Sequence, residues 1–165
     1  MDNSETKPLI ITRQLNAPVE KVWAAWTEPA QLTKWWGPTG FTAPTAKIDL
    51  RVGGTYLFCM RGALGPGQPA QDFWSTGTYD EIVPLKRIVC SDSFADADGN
   101  VVPPSYYGMG DFPEALKVTV EFEDLGDGRT QMTLTHEGAP AGDNFDGMNA
   151  GWNQSFDKLA ASLSS

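Results

Sequence analysis

The end of the chain constrains the fold most. With successive residues placed 100° apart, Met148, Trp152, Phe156, Leu159 and Leu163 fall within an arc of about 80°, and Asn153 and Asp157 face away from it. This spacing predicts an amphipathic helix over residues 146–163. Such a helix must lay its apolar face on a surface of matching size. Gly151, inside it, costs about 1 kcal/mol relative to alanine, which hints at a close backbone approach there.

The surface to be covered is read from a change of period. Residues 9–15 form a strand-like run that ends at Asn16-Ala17-Pro18, where proline suits the first turn of a helix. Val19, Val22, Trp23 and Trp26 lie on one face of that helix, as ordinary core in the case of the two tryptophans. Thr27 followed by Pro29 reads as the N-cap of a second short helix, which carries Leu32, Trp35 and Trp36 and stops at Gly37-Pro38. From residue 41 the period drops to two. Ala46, Ile48 and Leu50 alternate with polar residues, Gly53-Gly54 turns the chain, and Tyr56, Phe58 and Met60 continue on the return strand. Residues 73–83, 87–94, 116–124 and 129–137 repeat the strand pattern, with the tightest turns at 84–86 and 126–128.

Strands joined by short turns imply an antiparallel meander. The three-residue loop at 126–128 sets Val118 opposite His136, Val120 opposite Leu134 and Phe122 opposite Met132. The economical assembly is one α+β domain over residues 1–165. It has a curved antiparallel sheet of six to seven strands, two short helices after strand 1, and the long C-terminal helix across the concave face. Leucines at the C-terminal end of that helix pack tightly, whereas Trp152 and Phe156 meet a curved sheet with bulky rings, so a cavity is expected beneath them. Two loops, 62–72 and 95–115, are long for a compact domain. The second bears Tyr106, Tyr107, Met109 and Phe112 and reads either as a lid or as a disordered excursion.

Composition narrows the partners. The 21 acidic residues exceed the 12 basic ones, giving a net charge of −9, and no local basic cluster offsets it. Binding to nucleic acid or to anionic lipid, which rests on phosphate neutralisation, is therefore not expected. Residues 1–8 read as a flexible polar tail without the apolar core of a signal peptide, and no apolar run approaches the ~20 residues of a membrane span. A cytoplasmic protein without membrane insertion is expected. Cys59 and Cys90 lie in strand-like segments without CxxC or Cys/His spacing, so they are expected to be buried, reduced thiols rather than metal ligands.

His136, the sole histidine, shares a strand face with Met132 and Leu134 and points toward the expected cavity. Its residue type suits a general base, but no partner is assigned by sequence and a lone histidine near a strand end is more often a satisfied structural residue. Asp92 alternates with Cys90 and Phe94 and is the second inward polar candidate. Arg51 and Arg61 alternate out of phase with the apolar residues of their strands, and with Arg87 they read as solvated outer-face charges. No GxSxG, HExxH, P-loop or dinucleotide pattern occurs, so no cofactor is expected. The acidic stretch 96–100 and Asp124 and Asp127 lack the glutamate spacing of a calcium loop. The candidate cavity lining is Phe58, Met60, Trp74, Phe94, Tyr106, Tyr107, Val120, Phe122, Leu134, His136, Met148, Trp152 and Phe156.

A set of local motifs runs in order from about residue 9 to 163. It comprises Ala17-Pro18 with Val22-Trp23, then Trp26-Thr27-Glu28-Pro29, Leu32 and Trp35-Trp36-Gly37-Pro38. Asp49 with Gly53-Gly54, the run from Gly77 to Ile82, and Gly151-Trp152 complete it. In these features the chain resembles the proteins named for activating the ATPase of the ninety-kilodalton heat-shock chaperone, within the START-like (SRPBCC) helix-grip superfamily. The resemblance implies a helix-grip fold with a ligand cavity between sheet and helix, in a superfamily that includes lipid carriers, hormone receptors and polyketide cyclases or aromatases. Fold does not choose among these. The first reading is binding or transport of a small apolar or aromatic molecule without catalysis. The alternatives are a cyclase- or aromatase-like enzyme using His136, and a chaperone-associated stress-response factor.

Overall fold

The computed structural model describes residues 8–63, 66–107, 115–138 and 143–163. The expected N-terminal tail, except Pro8, and the loop residues Met109 and Phe112 lie outside them. Strand β1 (Leu9–Leu15) leads into helix α1 (Val19–Thr27) and the single-turn helix α2 (Pro29–Leu32). Strands β2 (Thr42–Ile48), β3 (Thr55–Gly62), β4 (Gln71–Val83), β5 (Arg87–Ala95), β6 (Leu116–Gly126) and β7 (Arg129–Glu137) follow, and α3 (Asp143–Leu163) is the last element. The seven strands form one antiparallel sheet in the order β1-β7-β6-β5-β4-β3-β2. Consecutive strands thus neighbour one another except at β1, which crosses to the far edge beside β7.

Two short turns set the registers. Leu85, at φ 66°, lies in the β4–β5 turn, and Gly126, Asp127 and Gly128 all have positive φ between β6 and β7. Glycine and aspartate tolerate this region best, which is why the chain reverses there. The β6–β7 register pairs Val118 with His136, Val120 with Leu134 and Phe122 with Met132, as the three-residue loop predicts.

The inner face of the sheet carries Leu9, Ile11, Leu15, Tyr56, Phe58, Tyr79, Ile88, Val118, Val120, Phe122, Met132 and Leu134, and these join Phe156, Leu159 and Leu163 of α3 in one buried core. Burying side chains of this kind contributes roughly 1.5–3 kcal/mol each before chain entropy is subtracted. Polar contacts aim the helix. Arg13, on the inner face of β1, donates to the Asn153 backbone oxygen at 3.0 Å and lies 3.0 Å from the Asp157 carboxylate. The ammonium of Lys158 donates to the carbonyls of Phe41, Pro38 and Trp36 at 3.0, 3.4 and 3.5 Å.

Three local expectations are corrected. Thr27 closes α1 instead of capping α2: its hydroxyl donates to the Trp23 carbonyl at 2.9 Å, and Glu28 is the N-cap before Pro29. Helix α2 stops at Leu32, so Trp35 and Trp36 sit in the turn that follows. Gly151 has no close neighbour among the described residues: a Cβ placed there would meet nothing within 4 Å, so the expected close approach is absent.

Candidate functional site

A narrow cavity lies between α3 and the sheet. It is lined by Trp26 and Trp36 from the α1–α2 region, Tyr56 and Phe58 of β3, Tyr79 of β4, Ile88, Cys90 and Asp92 of β5, Val118 and Val120 of β6, and Trp152 of α3. About 30 Å³ is open to the centre of a water molecule, room for about two waters at the ~10–15 Å³ each requires. Rings make most of the wall. Tyr56 stacks on Phe58 at 4.4 Å, Phe58 meets the edge of Trp36 at 4.8 Å, and Trp36 meets Trp152 at 5.5 Å and 89°. Trp152 stacks on Trp26 at 6.2 Å and 27°. Trp36 and Trp152 line the cavity and are half-buried, so turning either indole outward would widen the space.

One polar string crosses this apolar wall. The indole nitrogen of Trp152 donates to His136 Nδ1 at 3.0 Å. A nitrogen that accepts carries no proton of its own, so a proton on this ring sits on Nε2. Its Nε2 lies 3.2 Å from Asp92 Oδ2, yet no acceptor among the described residues lies along its N–H direction. The pair is therefore in electrostatic contact without an aligned hydrogen bond. The Tyr56 hydroxyl donates to the Ser91 carbonyl at 2.9 Å and lies 3.4 Å from the other Asp92 oxygen. Burial, and then the neighbouring Asp92 charge, push the Tyr56 phenol well above its ordinary value, so it remains a donor.

Gly77 makes room for this arrangement. It faces Tyr56 across the β3–β4 ladder, and a Cβ there would lie 2.7 Å from the Tyr56 ring and overlap the Ser91 carbonyl oxygen. Cys90 lines the cavity as a thiol that burial, and then Asp92, drive far up from its ordinary value. It is inert at neutral pH.

The expected lining residues divide into four groups. Phe58, Val120 and Trp152 line the cavity, and His136 stands directly behind Trp152. Leu134, Phe122 and Phe156 are buried in the packed core, with Phe122 against the edge of Trp23 at 5.6 Å. Met148 packs on that core from α3, while Met60 lies beside Gly37. Phe94, Tyr107, Tyr106 and Trp74 gather at the far end of β4 and β5: Tyr107 packs on Phe73 and Phe94, and its hydroxyl donates to the Ala95 carbonyl at 2.6 Å and accepts from Trp74 N at 3.2 Å. Tyr106 is 60% exposed.

Trp74 is corrected as a lining residue. Phe58 pairs with Ser75 and Met60 with Phe73, so strand alternation puts Phe73 on the inner face and Trp74 on the outer one. Sequence does not single out Trp26, Trp36, Tyr56, Tyr79, Ile88, Cys90 or Val118 as cavity residues, and helical phase marks Trp26 as plain core. The outer-face reading of the arginines agrees with the structure, where Arg51 pairs with Asp49, Arg61 with Asp72, and Arg87 with Glu81 and Glu121.

A curled antiparallel sheet gripping a long terminal helix, with a cavity between them, defines the helix-grip class of the START-like superfamily. The family model described as Activator of Hsp90 ATPase homolog 1-like protein matches residues 16–164, and the chain belongs to that family. Among solved structures it is similar to protein CV1439 from Chromobacterium violaceum, at 30% identity over 96% of this chain and 97% of that one, with a TM-score of 0.74. It is also similar to a protein from Arthrobacter aurescens, at 25% identity over 99% and 92% with a TM-score of 0.71. A third, the AHSA1 protein from Silicibacter pomeroyi, is 24% identical over 96% and 98% with a TM-score of 0.68. No curated protein matches at a significant level. No helix among the described residues is long and apolar enough to cross a membrane.

Proposed function

We propose that this chain is a cytoplasmic, non-catalytic binding or transport domain for a small molecule with an aromatic or otherwise apolar body, taken up between the sheet and α3. The observation that carries this reading is the aromatic wall made by Trp26, Trp36, Tyr56, Phe58 and Trp152 around a cavity with a single carboxylate at its edge among the described residues. Apolar pockets with few polar groups are the usual form of small-molecule sites. The present space is narrower than a benzene ring needs, so uptake requires the half-buried Trp36 or Trp152 to swing outward.

His136 does not favour the cyclase-like alternative, because its one available lone pair is occupied by the Trp152 N–H. A base must present a free lone pair to its substrate. The chaperone-ATPase role in the family's description has no comparable support in the aromatic lining of the cavity.

The test is a panel of small apolar and aromatic compounds followed by tryptophan fluorescence and by thermal melting. Saturable quenching with a matching rise in melting temperature is expected for at least one chemical class. A flat response from both signals across lipids, polyketides and simple aromatics would sink the reading.

A further inference from the structure

Among the described residues the cavity wall carries one formal charge, the carboxylate of Asp92, and its surroundings leave that charge without a cation. The nearest ring nitrogen belongs to His136, whose Nδ1 accepts the Trp152 N–H and whose Nε2 makes no aligned hydrogen bond to the carboxylate. The His136 side chain is buried, only 4% exposed. Basic side chains beside α3 are spent elsewhere. Arg13 is held by Asn153 and Asp157, Lys158 by three backbone carbonyls, and Lys21 donates to the Leu163 carbonyl at 2.9 Å.

Rings surround the same carboxylate. Tyr56 touches it through its hydroxyl, and Trp36 and Trp152 line the same cavity. The faces of such rings are electron-rich and attract cations, most strongly when water is excluded. A carboxylate at the rim of an aromatic box is therefore complementary to an ammonium group on an apolar body. It repels an acid of the same shape and gives little to a hydrocarbon. The net charge of −9 draws the same class of ligand toward the surface.

We propose that the cavity selects small aromatic amines, with the ammonium on Asp92 and the ring between Trp36 and Trp152. This inference rests on the ligand-binding reading above and deepens it by naming the ligand's charge. It assigns Asp92, not His136, as the group that meets the ligand, and makes His136 the residue that positions Trp152.

The experiment is calorimetric titration of the full chain at neutral pH with three probes of like shape: phenethylamine, propylbenzene and 3-phenylpropionate. Phenethylamine is expected to bind about tenfold or more tightly than propylbenzene, as a charge-assisted hydrogen bond allows, and 3-phenylpropionate is expected to be weakest. In Asp92→Asn the advantage of the amine over propylbenzene should vanish. Equal binding of the amine and the hydrocarbon, a preference for the acid, or an amine preference that survives in Asp92→Asn would each overturn the proposal. If propylbenzene binds without any preference for the amine, only the charge assignment falls, whereas silence from all three probes removes the binding site as well. The wild-type ranking decides the matter alone if Asp92→Asn does not fold.

Discussion

Replacing Trp152 with phenylalanine tests the contact that joins α3 to the sheet at the cavity. The substitution keeps a ring in place but removes the indole N–H that donates to His136 Nδ1 at 3.0 Å. His136 is 3% exposed, and leaving a buried acceptor unpaired costs ~1–3 kcal/mol. The lost outer part of the ring system adds roughly 1 kcal/mol, because Trp152 is half-buried and packs on Trp26, Trp36 and Phe156 at 6.2, 5.5 and 5.4 Å. Together the loss is about 2–4 kcal/mol, or a fall of ~5–15 °C in melting temperature for a chain of this size. Urea denaturation measures it, and a double-mutant cycle with His136→Leu isolates the polar part. In the His136→Leu background Trp152→Phe should cost only the apolar portion, leaving a coupling of ~1–2 kcal/mol. Additivity within ~0.5 kcal/mol would refute the claim that Trp152 and His136 act as a pair.

Glycine and cysteine positions give further tests. Gly147 and Gly151 lie inside α3, and an added Cβ would meet nothing within 4 Å among the described residues, so Gly147→Ala and Gly151→Ala should each stabilise by roughly 0.5–1 kcal/mol, read from the denaturation midpoint. Gly77→Ala should abolish folding or lower stability by more than about 3 kcal/mol, since the added methyl overlaps the Ser91 carbonyl; a circular dichroism melt indistinguishable from wild type would contradict this. Burial pushes the Cys59 thiol up to about 11 and Cys90 further in the same direction, so neither should react with a disulfide reagent in the native state at about pH 8, and both should react once denatured.

Much of the architecture can be read from period alone, because the sheet exposes one face to the core and turns with fixed geometry set its register. The pairing of Val118 with His136 and of Phe122 with Met132 follows from a three-residue loop. The buried positions Phe156, Leu159 and Leu163 follow from helical spacing. Ambiguity enters where two apolar residues are adjacent. At Phe73-Trp74 alternation cannot say which ring faces inward, and only the pairing of Met60 with Phe73 decides it. Thr27 resembles an N-cap, but its hydroxyl has a closer acceptor four residues back. The cavity is less legible because its wall joins separate segments of the chain. Helical phase marks Trp26 as apolar without saying that it stacks on Trp152, and nothing local shows that a histidine on β7 meets an indole on α3.

The central claim, a ligand held between the sheet and α3, is tested most directly by the indole N–H resonances of the six tryptophans during titration with phenethylamine. Trp26, Trp36 and Trp152 line the cavity, and Trp74 lies on the opposite face of the sheet. The account predicts saturable shifts at Trp26, Trp36 and Trp152 with one common affinity, while Trp74 stays still. Shifts confined to Trp74, or no saturable shift at the three cavity indoles, would contradict it.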